Sequence, residues 1–133
     1  MAEKILTVDD DPDILDALTM ILESKGYHVV TARNGVEVLA QVEAEKPDLM
    51  ILDLLMPKMD GFTVYKKLQE PKWAKYRGMP ILILTSVREE ASRRRYELET
   101  GQELGVDDYI EKPFSPDILL ERVEKLIKNK RKV

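Results

Sequence analysis

Four groups of polar residues each follow a short apolar run, and their side chains are of the kinds that bind metal ions and phosphoryl groups. In chain order they are Asp9, Asp10 and Asp11, then Asp53, then Thr85 and Ser86, and then Lys112. Carboxylates held close together repel one another and need a counter-charge. Mg²⁺ usually takes one or two carboxylates and shares oxygens with a phosphoryl group, and Lys112 can supply a second positive charge. The residue types therefore predict a phosphoryl-transfer site in which a carboxylate can act as the nucleophile.

These groups can meet only if the apolar runs are strands of one parallel sheet. The runs lie at residues 5–8, 29–31, 49–52, 81–84 and 109–110, and helical patterns separate them. Runs that are apolar on both faces are typical of parallel strands covered by helices on both sides. With the strand order 2-1-3-4-5, the polar groups would converge at the carboxyl edge, where ligands bind in such sheets. We therefore predict a single α/β domain over residues 1–133 with a flavodoxin-like sheet.

Local signals within this pattern predict where helices begin and end. Asp11 before Pro12 predicts the N-cap of the first helix, and Gly26 predicts where that helix ends. A polar helical stretch is predicted over 89–104, and the last helix opens at Ser115. His28, the only histidine, is expected at the surface.

Composition narrows the classes of function. The chain has no cysteine, carries a net charge of −4 and has a pI of about 5.2. An acidic domain is not expected to bind nucleic acid directly, since neutralising phosphates requires a basic face. The longest apolar stretches are far too short to span a bilayer. A cytoplasmic protein without membrane association is the expectation.

Four motifs together resemble the receiver domain of two-component response regulators, the CheY-like family. They are Val8-Asp9-Asp10, then residues 51–57 with Asp60-Gly61, then Leu84-Thr85-Ser86, and then residues 108–114. The resemblance covers nearly the whole chain, from Lys4 to about Lys128. Each motif alone has low specificity for the family, but all four in this order at strand ends are highly specific.

The resemblance implies a phosphorylation site and a magnesium site. Asp53 matches the phospho-acceptor, and Asp10 matches the principal Mg²⁺ carboxylate. Asp9 matches the carboxylate that acts on the metal mainly through water. Leu55 stands at the position whose backbone carbonyl binds the metal.

The resemblance also implies a switch and its partners. Thr85 matches the hydroxyl that bonds the phosphoryl group, Lys112 the lysine that pairs with it, and Tyr109 the aromatic that then swings inward. Pro113 follows the lysine as the family pattern expects, often through a cis bond. The implied partners are a sensor histidine kinase or phosphotransfer protein, an effector, and a second copy in a phosphorylation-dependent dimer.

Two stretches depart from the family pattern. Gly105 lies 20 residues after Thr85, which is longer than usual by roughly one helical turn. The extra length falls within 87–102, next to the surface most often used for output. Trp73 lies in a long connection before the fourth strand, where it is either a hydrophobic plug or a partner contact.

Three functions stay open at this point. The first is a stand-alone signalling receiver. The second is a Mg²⁺-dependent phosphatase that uses Asp53 as a turnover nucleophile, although such enzymes usually carry an acid where Leu55 stands. The third is a receiver cut from a regulator with a DNA-binding output domain.

Overall fold

The computed structural model describes residues 2–53, 61–76, 78–85 and 107–131. For Gly61, Phe62, Thr85, Lys130 and Arg131 it describes the backbone alone. Along the chain the elements are β1 (Lys4–Val8), α1 (Pro12–Glu23), β2 (His28–Ala32), α2 (Gly35–Glu45), β3 (Leu49–Asp53), α3 (Gly61–Leu68), a 3₁₀ helix (Pro71–Tyr76), β4 (Ile81–Thr85), β5 (Asp108–Glu111) and α4 (Pro116–Arg131). The predicted helix over 89–104 lies outside the described residues.

The five strands form one parallel sheet in the order β2-β1-β3-β4-β5, which confirms the predicted fold class. The pairing keeps the carboxyl ends level. Val8 lies opposite Leu52, Asp53 opposite Leu84, and Thr85 opposite Glu111. The last residues of β1, β3, β4 and β5 therefore reach the same edge, where the polar groups of the sequence follow.

Helices cover both faces of the sheet, as predicted. On one face, α2, α3 and the 3₁₀ helix pack against alternate strand residues such as Met50 and Leu52. On the other, α1 and α4 pack against the residues between them, such as Leu49 and Ile51. Every residue of β3 is buried, because β3 has strands on both sides and helices on both faces. A charged residue at its end is therefore held in a rigid, largely dry setting.

Capping fixes where α1 begins and so leaves the acidic residues before it in a loop. The Asp11 carboxylate accepts a hydrogen bond from the Asp13 backbone N at 2.9 Å, and Pro12 is the first helical residue. Gly26, with φ of 84°, takes the left-handed conformation in the turn after α1. The predictions for Asp11 and for Gly26 are both confirmed, and Asp9 and Asp10 lie between β1 and α1.

The connection before β4 contains a 3₁₀ helix that the sequence did not predict. Its Trp73 is only 7% exposed and packs into the core on the α2–α3 face. The Trp73 ring lies 5.6 Å from the Tyr76 ring, centroid to centroid. Of the two interpretations of Trp73, a hydrophobic plug or a partner contact, the hydrophobic plug is correct. His28 is exposed at the start of β2, as expected.

None of the helices in the described part of the chain has both the length and the apolar character needed to cross a membrane.

Candidate functional site

Asp53 lies at the end of β3 and is only 3% exposed. Ionised carboxylates are rarely buried to this degree without charged or hydrogen-bonding neighbours. Among the described residues, charged neighbours of Asp53 come from the loop after β1 and from the residue after β5. The strand order brings both next to Asp53, as predicted.

Asp9, Asp10 and Asp53 form an acidic cluster. One carboxylate oxygen from each residue can be chosen so that all three lie within 4.8 Å of one another. Asp9 is 1% exposed, whereas Asp10 is open to solvent. Carboxylates at this spacing repel one another strongly unless a cation lies among them.

Asp9 is the most constrained member of the acidic cluster. Its Oδ1 accepts a hydrogen bond from the Asp11 backbone N at 3.0 Å, and its own backbone N donates to the Ala32 carbonyl at 3.2 Å. Its Oδ2 lies 3.4 Å from the Lys112 Nζ. Both oxygens of Asp9 therefore already have protein partners.

Lys112 supplies positive charge to the acidic cluster from the residue after β5. Its Nζ lies 3.4 Å from Asp9 Oδ2 and 3.8 Å from Asp53 Oδ1, and its side chain is 19% exposed. The Lys112–Pro113 peptide bond is cis. The ammonium thus bridges two buried carboxylates, but one ammonium faces three carboxylates in this group.

The acidic cluster has the donor set of a divalent-cation site. Oxygen ligands suit Mg²⁺, which keeps several waters and binds through one or two carboxylates. Asp10 makes no hydrogen bond or ion pair among the described residues, so its oxygens are available as direct ligands. The cluster is consistent with the metal site typical of receivers, in which Asp10, Asp9 and Asp53 would hold the ion.

The structure describes the remaining predicted site residues to different extents. Thr85 ends β4 and pairs with Glu111, one position past the pair of Asp53 and Leu84, but its side chain lies outside the described part. Tyr109 is on β5, half-buried against the α2–α3 core. Leu55 lies outside the described residues.

One polar contact near the site was missed by sequence reasoning. The Arg122 Nη1 on α4 lies 3.0 Å and 2.9 Å from the two carboxylate oxygens of Asp108, and 3.4 Å from the Tyr109 carbonyl. This contact fixes α4 against β5 just before Lys112. The only signal in the sequence was opposite charge on two neighbouring elements, which does not single out a pair.

Comparisons with known proteins agree with this geometry. Residues 5–124 match the family described as the response regulator receiver domain. The chain is 44% identical over 128 residues to the alkaline phosphatase synthesis transcriptional regulatory protein PhoP of Bacillus subtilis, covering 96% of this chain and 50% of that protein. It is 40% identical over 131 residues to a probable transcriptional regulator, ycf27, of Pyropia yezoensis, covering 98% of this chain and 50% of that one. The chain thus spans about half the length of these relatives.

Solved structures show the same fold. A CheY-like response regulator receiver domain protein from Methanospirillum hungatei is 32% identical, with a TM-score of 0.78 over 99% of this chain and 98% of that one. The chemotaxis protein CheY4 of Vibrio cholerae is 29% identical, with a TM-score of 0.79 over 95% of this chain and 99% of that one. The order of the strands, the acidic cluster at their carboxyl edge and these matches agree, and the chain belongs to the response regulator receiver domain family.

Proposed function

We propose that residues 1–133 form one receiver domain that takes up a phosphoryl group on Asp53 from a phosphohistidine of a sensor kinase or phosphotransfer protein. The observation that carries the proposal is the position of the Asp53 carboxylate. It is buried at a strand end, within 4.8 Å of oxygens from Asp9 and Asp10 and 3.8 Å from the Lys112 ammonium. Such a setting holds the nucleophile still and neutralises charge around it.

The proposed transfer is a single displacement at phosphorus. An Asp53 carboxylate oxygen forms the new P–O bond while the P–N bond of the phosphohistidine breaks, and the released imidazole takes up a proton. Bound in the acidic cluster, Mg²⁺ would neutralise negative charge on the carboxylates and on the incoming phosphoryl oxygens. Lys112 provides a second positive charge beside Asp9 and Asp53.

The two acids before α1 have different proposed roles. Asp10, exposed and without a protein partner in the described part, is the direct metal ligand. Asp9, whose two oxygens are engaged by Asp11 and Lys112, acts on the metal mainly through water. Leu55 is proposed to add its backbone carbonyl.

The output is proposed to depend on what the phosphoryl group contacts. A ligand shifts a conformational equilibrium only by contacts that differ between the two states. The Thr85 hydroxyl and the Lys112 ammonium would gain contacts to the phosphoryl oxygens. Movement of Thr85 then gives Tyr109 room to turn inward, which changes the face of β5 and α4 that an effector or a second copy would meet.

The receiver family acts in signalling rather than in catalytic turnover, which favours the switch over the phosphatase. The relatives named above are transcriptional regulators of about twice the length. We therefore also propose that this domain can be the receiver of a longer regulator. In that case the nucleic acid contacts would belong to the output domain.

Intact-mass measurement after incubation with acetyl phosphate and Mg²⁺ tests the assignment. The wild type should gain one phosphoryl group, and Asp53→Asn should gain none. Asp16→Asn, which removes an exposed acid of α1, is the matched control and should label normally. Undiminished labelling of Asp53→Asn would show that another residue is the acceptor.

A second experiment tests the proposed roles of Asp10 and Asp9 in metal binding. Asp10→Ala should weaken Mg²⁺ binding and slow labelling together, because it removes the proposed direct ligand. Asp9→Ala should weaken Mg²⁺ binding less. If Mg²⁺ titration gave the same curve for the wild type and both variants, the acidic residues before α1 would serve only as a helix cap.

A further inference from the structure

An ion pair joins the last helix to the start of the last strand and also contacts the backbone of Tyr109. The Arg122 Nη1 lies 3.0 Å and 2.9 Å from the two carboxylate oxygens of Asp108, and 3.4 Å from the Tyr109 carbonyl oxygen. The Asp108 Oδ1 in turn accepts a hydrogen bond from the Tyr109 backbone N at 2.8 Å. Both polar groups of the Tyr109 backbone therefore contact this pair. We call Arg122 and Asp108 the β5 clamp.

The helix that carries Arg122 is firmly anchored in the core. Leu119 and Val123, on the same turns of α4, are both fully buried on the α1–α4 face of the sheet. Ile110, the strand residue after Tyr109, packs into the same part of the core. Close-packed side chains of this kind hold a helix in place, so the Arg122 side chain extends from a rigid base. The β5 clamp therefore ties the Tyr109 backbone to α4.

The Tyr109 ring lies on the other face of the sheet from α4. It is half-buried and packs against the core on the α2–α3 face. A residue whose backbone is held from one face can still move its ring on the other by rotation about the side-chain bonds. Such rotations connect discrete staggered positions. A fixed backbone at Tyr109 therefore favours a ring that steps between separate positions.

The β5 clamp stands close to the residues that are proposed to meet the phosphoryl group. Two residues after Tyr109, Glu111 pairs with Thr85 at the carboxyl edge of the sheet. Lys112 comes next, and its ammonium contacts the acidic cluster. One short stretch of paired strand thus separates the clamp from the proposed phosphorylation site.

We propose that Arg122 is a positioning residue for the phosphorylation switch. Through Asp108 it holds the Tyr109 backbone in place, so that the Tyr109 ring has two distinct positions. This role rests on the proposed function, in which phosphorylation of Asp53 lets the ring turn inward. Switching groups work only when the side chains around them fix their geometry. Without the clamp, the backbone of β5 can shift together with the ring, the two states differ less, and phosphorylation biases the ring less strongly.

Amide hydrogen exchange tests the β5 clamp without phosphorylation. In the unmodified protein in EDTA, Arg122→Gln should speed exchange of the Tyr109 amide, relative to other strand amides, by about threefold to fivefold, as expected for loss of a partly exposed ion pair. Lys4→Gln is the matched control. It breaks the pair of Lys4 with Glu45 at 3.0 Å, whose side chains are 31% and 34% exposed, against 39% and 28% for Arg122 and Asp108. It should not single out the Tyr109 amide.

The NMR signal of the Tyr109 ring tests the effect on the switch. Tyr109→Phe identifies this signal among those of the five tyrosines. Acetyl phosphate with Mg²⁺ should shift the signal equally in the wild type and in Lys4→Gln. In Arg122→Gln, intact mass should still show one phosphoryl group, but the shift should be less than about half as large. A purely structural ion pair would leave the shift unchanged.

Arg122→Lys separates positioning from a general loss of stability. It keeps a cation opposite Asp108 without the fixed geometry of the guanidinium, so it should restore part of the Tyr109 shift. The proposal is overturned if phosphorylated Arg122→Gln shows the full wild-type shift, or if Arg122→Gln and Lys4→Gln have the same effect on exchange at Tyr109. If the wild type takes up no phosphoryl group, the proposed function fails and the positioning role fails with it, while amide exchange still decides whether the clamp holds the Tyr109 backbone.

Discussion

Replacing Asp53 by asparagine should make the metal-free protein more stable. The Asp53 oxygen lies within 4.8 Å of oxygens from Asp9 and Asp10. At this upper limit of 4.8 Å and an effective dielectric constant of about 20, each such repulsion is worth about 3.5 kcal/mol. Among the described contacts, the attraction to the Lys112 Nζ at 3.8 Å opposes this repulsion, and it is worth about 4.4 kcal/mol on the same scale.

The balance favours the neutral side chain. For these described contacts the two repulsions together exceed the attraction, although the solvent around the exposed Asp10 screens its share. Asparagine also avoids the cost of burying a charge, and Lys112 keeps its shorter contact with Asp9 at 3.4 Å. We expect Asp53→Asn to raise the free energy of unfolding in EDTA by about 1–2 kcal/mol.

Magnesium should narrow or reverse this difference. A ligand that binds only the folded state stabilises it by RT ln(1 + [L]/Kd), or about 1.4 kcal/mol at a tenfold excess over Kd. The wild type gains this stabilisation, and Asp53→Asn gains less because a charged donor is missing. The free energy of unfolding should therefore differ less in favour of Asp53→Asn in Mg²⁺ than in EDTA, or the difference should change sign.

Urea unfolding, followed by the fluorescence of Trp73, measures both effects. With a slope of about 2 kcal/mol per molar urea, the midpoint in EDTA should rise by about 0.5–1 M for Asp53→Asn. Asp16→Asn removes the same charge from the surface of α1 and should change stability by less than about 0.5 kcal/mol. The reasoning is refuted if Asp53→Asn is less stable than the wild type in EDTA, or if Mg²⁺ leaves the difference unchanged.

Two further predictions concern other parts of the fold. Arg122→Gln should cost about 1 kcal/mol of stability, since the contact with Asp108 is geometrically good but partly exposed. The double variant Arg122→Gln/Asp108→Asn should be only slightly less stable than Arg122→Gln. If the losses of stability of the two single variants added fully in the double variant, the two side chains would not interact. Burial, with the nearby Glu124, raises the pKa of the Tyr27 hydroxyl above its ordinary value of 10.0. The folded state therefore keeps this proton where the unfolded state loses it, and stability falls as pH rises past about 10. Urea midpoints between about pH 9 and 11 should fall less steeply for Tyr27→Phe, and equal slopes would contradict this.

The sheet and its acidic edge were predictable because they depend on local signals. A strand that is apolar on both faces must be covered on both faces, and five such runs separated by helical patterns allow few topologies. Asp53 stood out because it interrupts an apolar run, where a charge is costly without partners. The N-cap at Asp11 followed from residue type and from Pro12 alone.

Other features depend on distances that the sequence does not encode locally. The alternation of residue types could not show that the Lys112 ammonium lies nearer to Asp9 than to Asp53. Nor could it show that Trp73 folds back through a 3₁₀ helix to fill the α2–α3 core. The pairing of Arg122 with Asp108 depends on how α4 crosses β5, which is set by packing. The roles assigned to all the predicted site residues stay predictions, and Leu55 and the Thr85 side chain also lie outside the described part of the chain.

The bridging position of Lys112 links the metal to the proposed phosphorylation. In the unmodified protein its ammonium is shared between Asp9 and Asp53, with the shorter distance to Asp9. A phosphoryl group on Asp53 would add negative charge beside that ammonium and favour its contact with Asp53 over Asp9. Asp9, buried and fixed by the Asp11 backbone, would then need another cation close by. Mg²⁺ beside Asp10 can meet that need, so the metal should be bound more tightly when Asp53 is phosphorylated, and the phosphorylated state should be favoured when the metal is present.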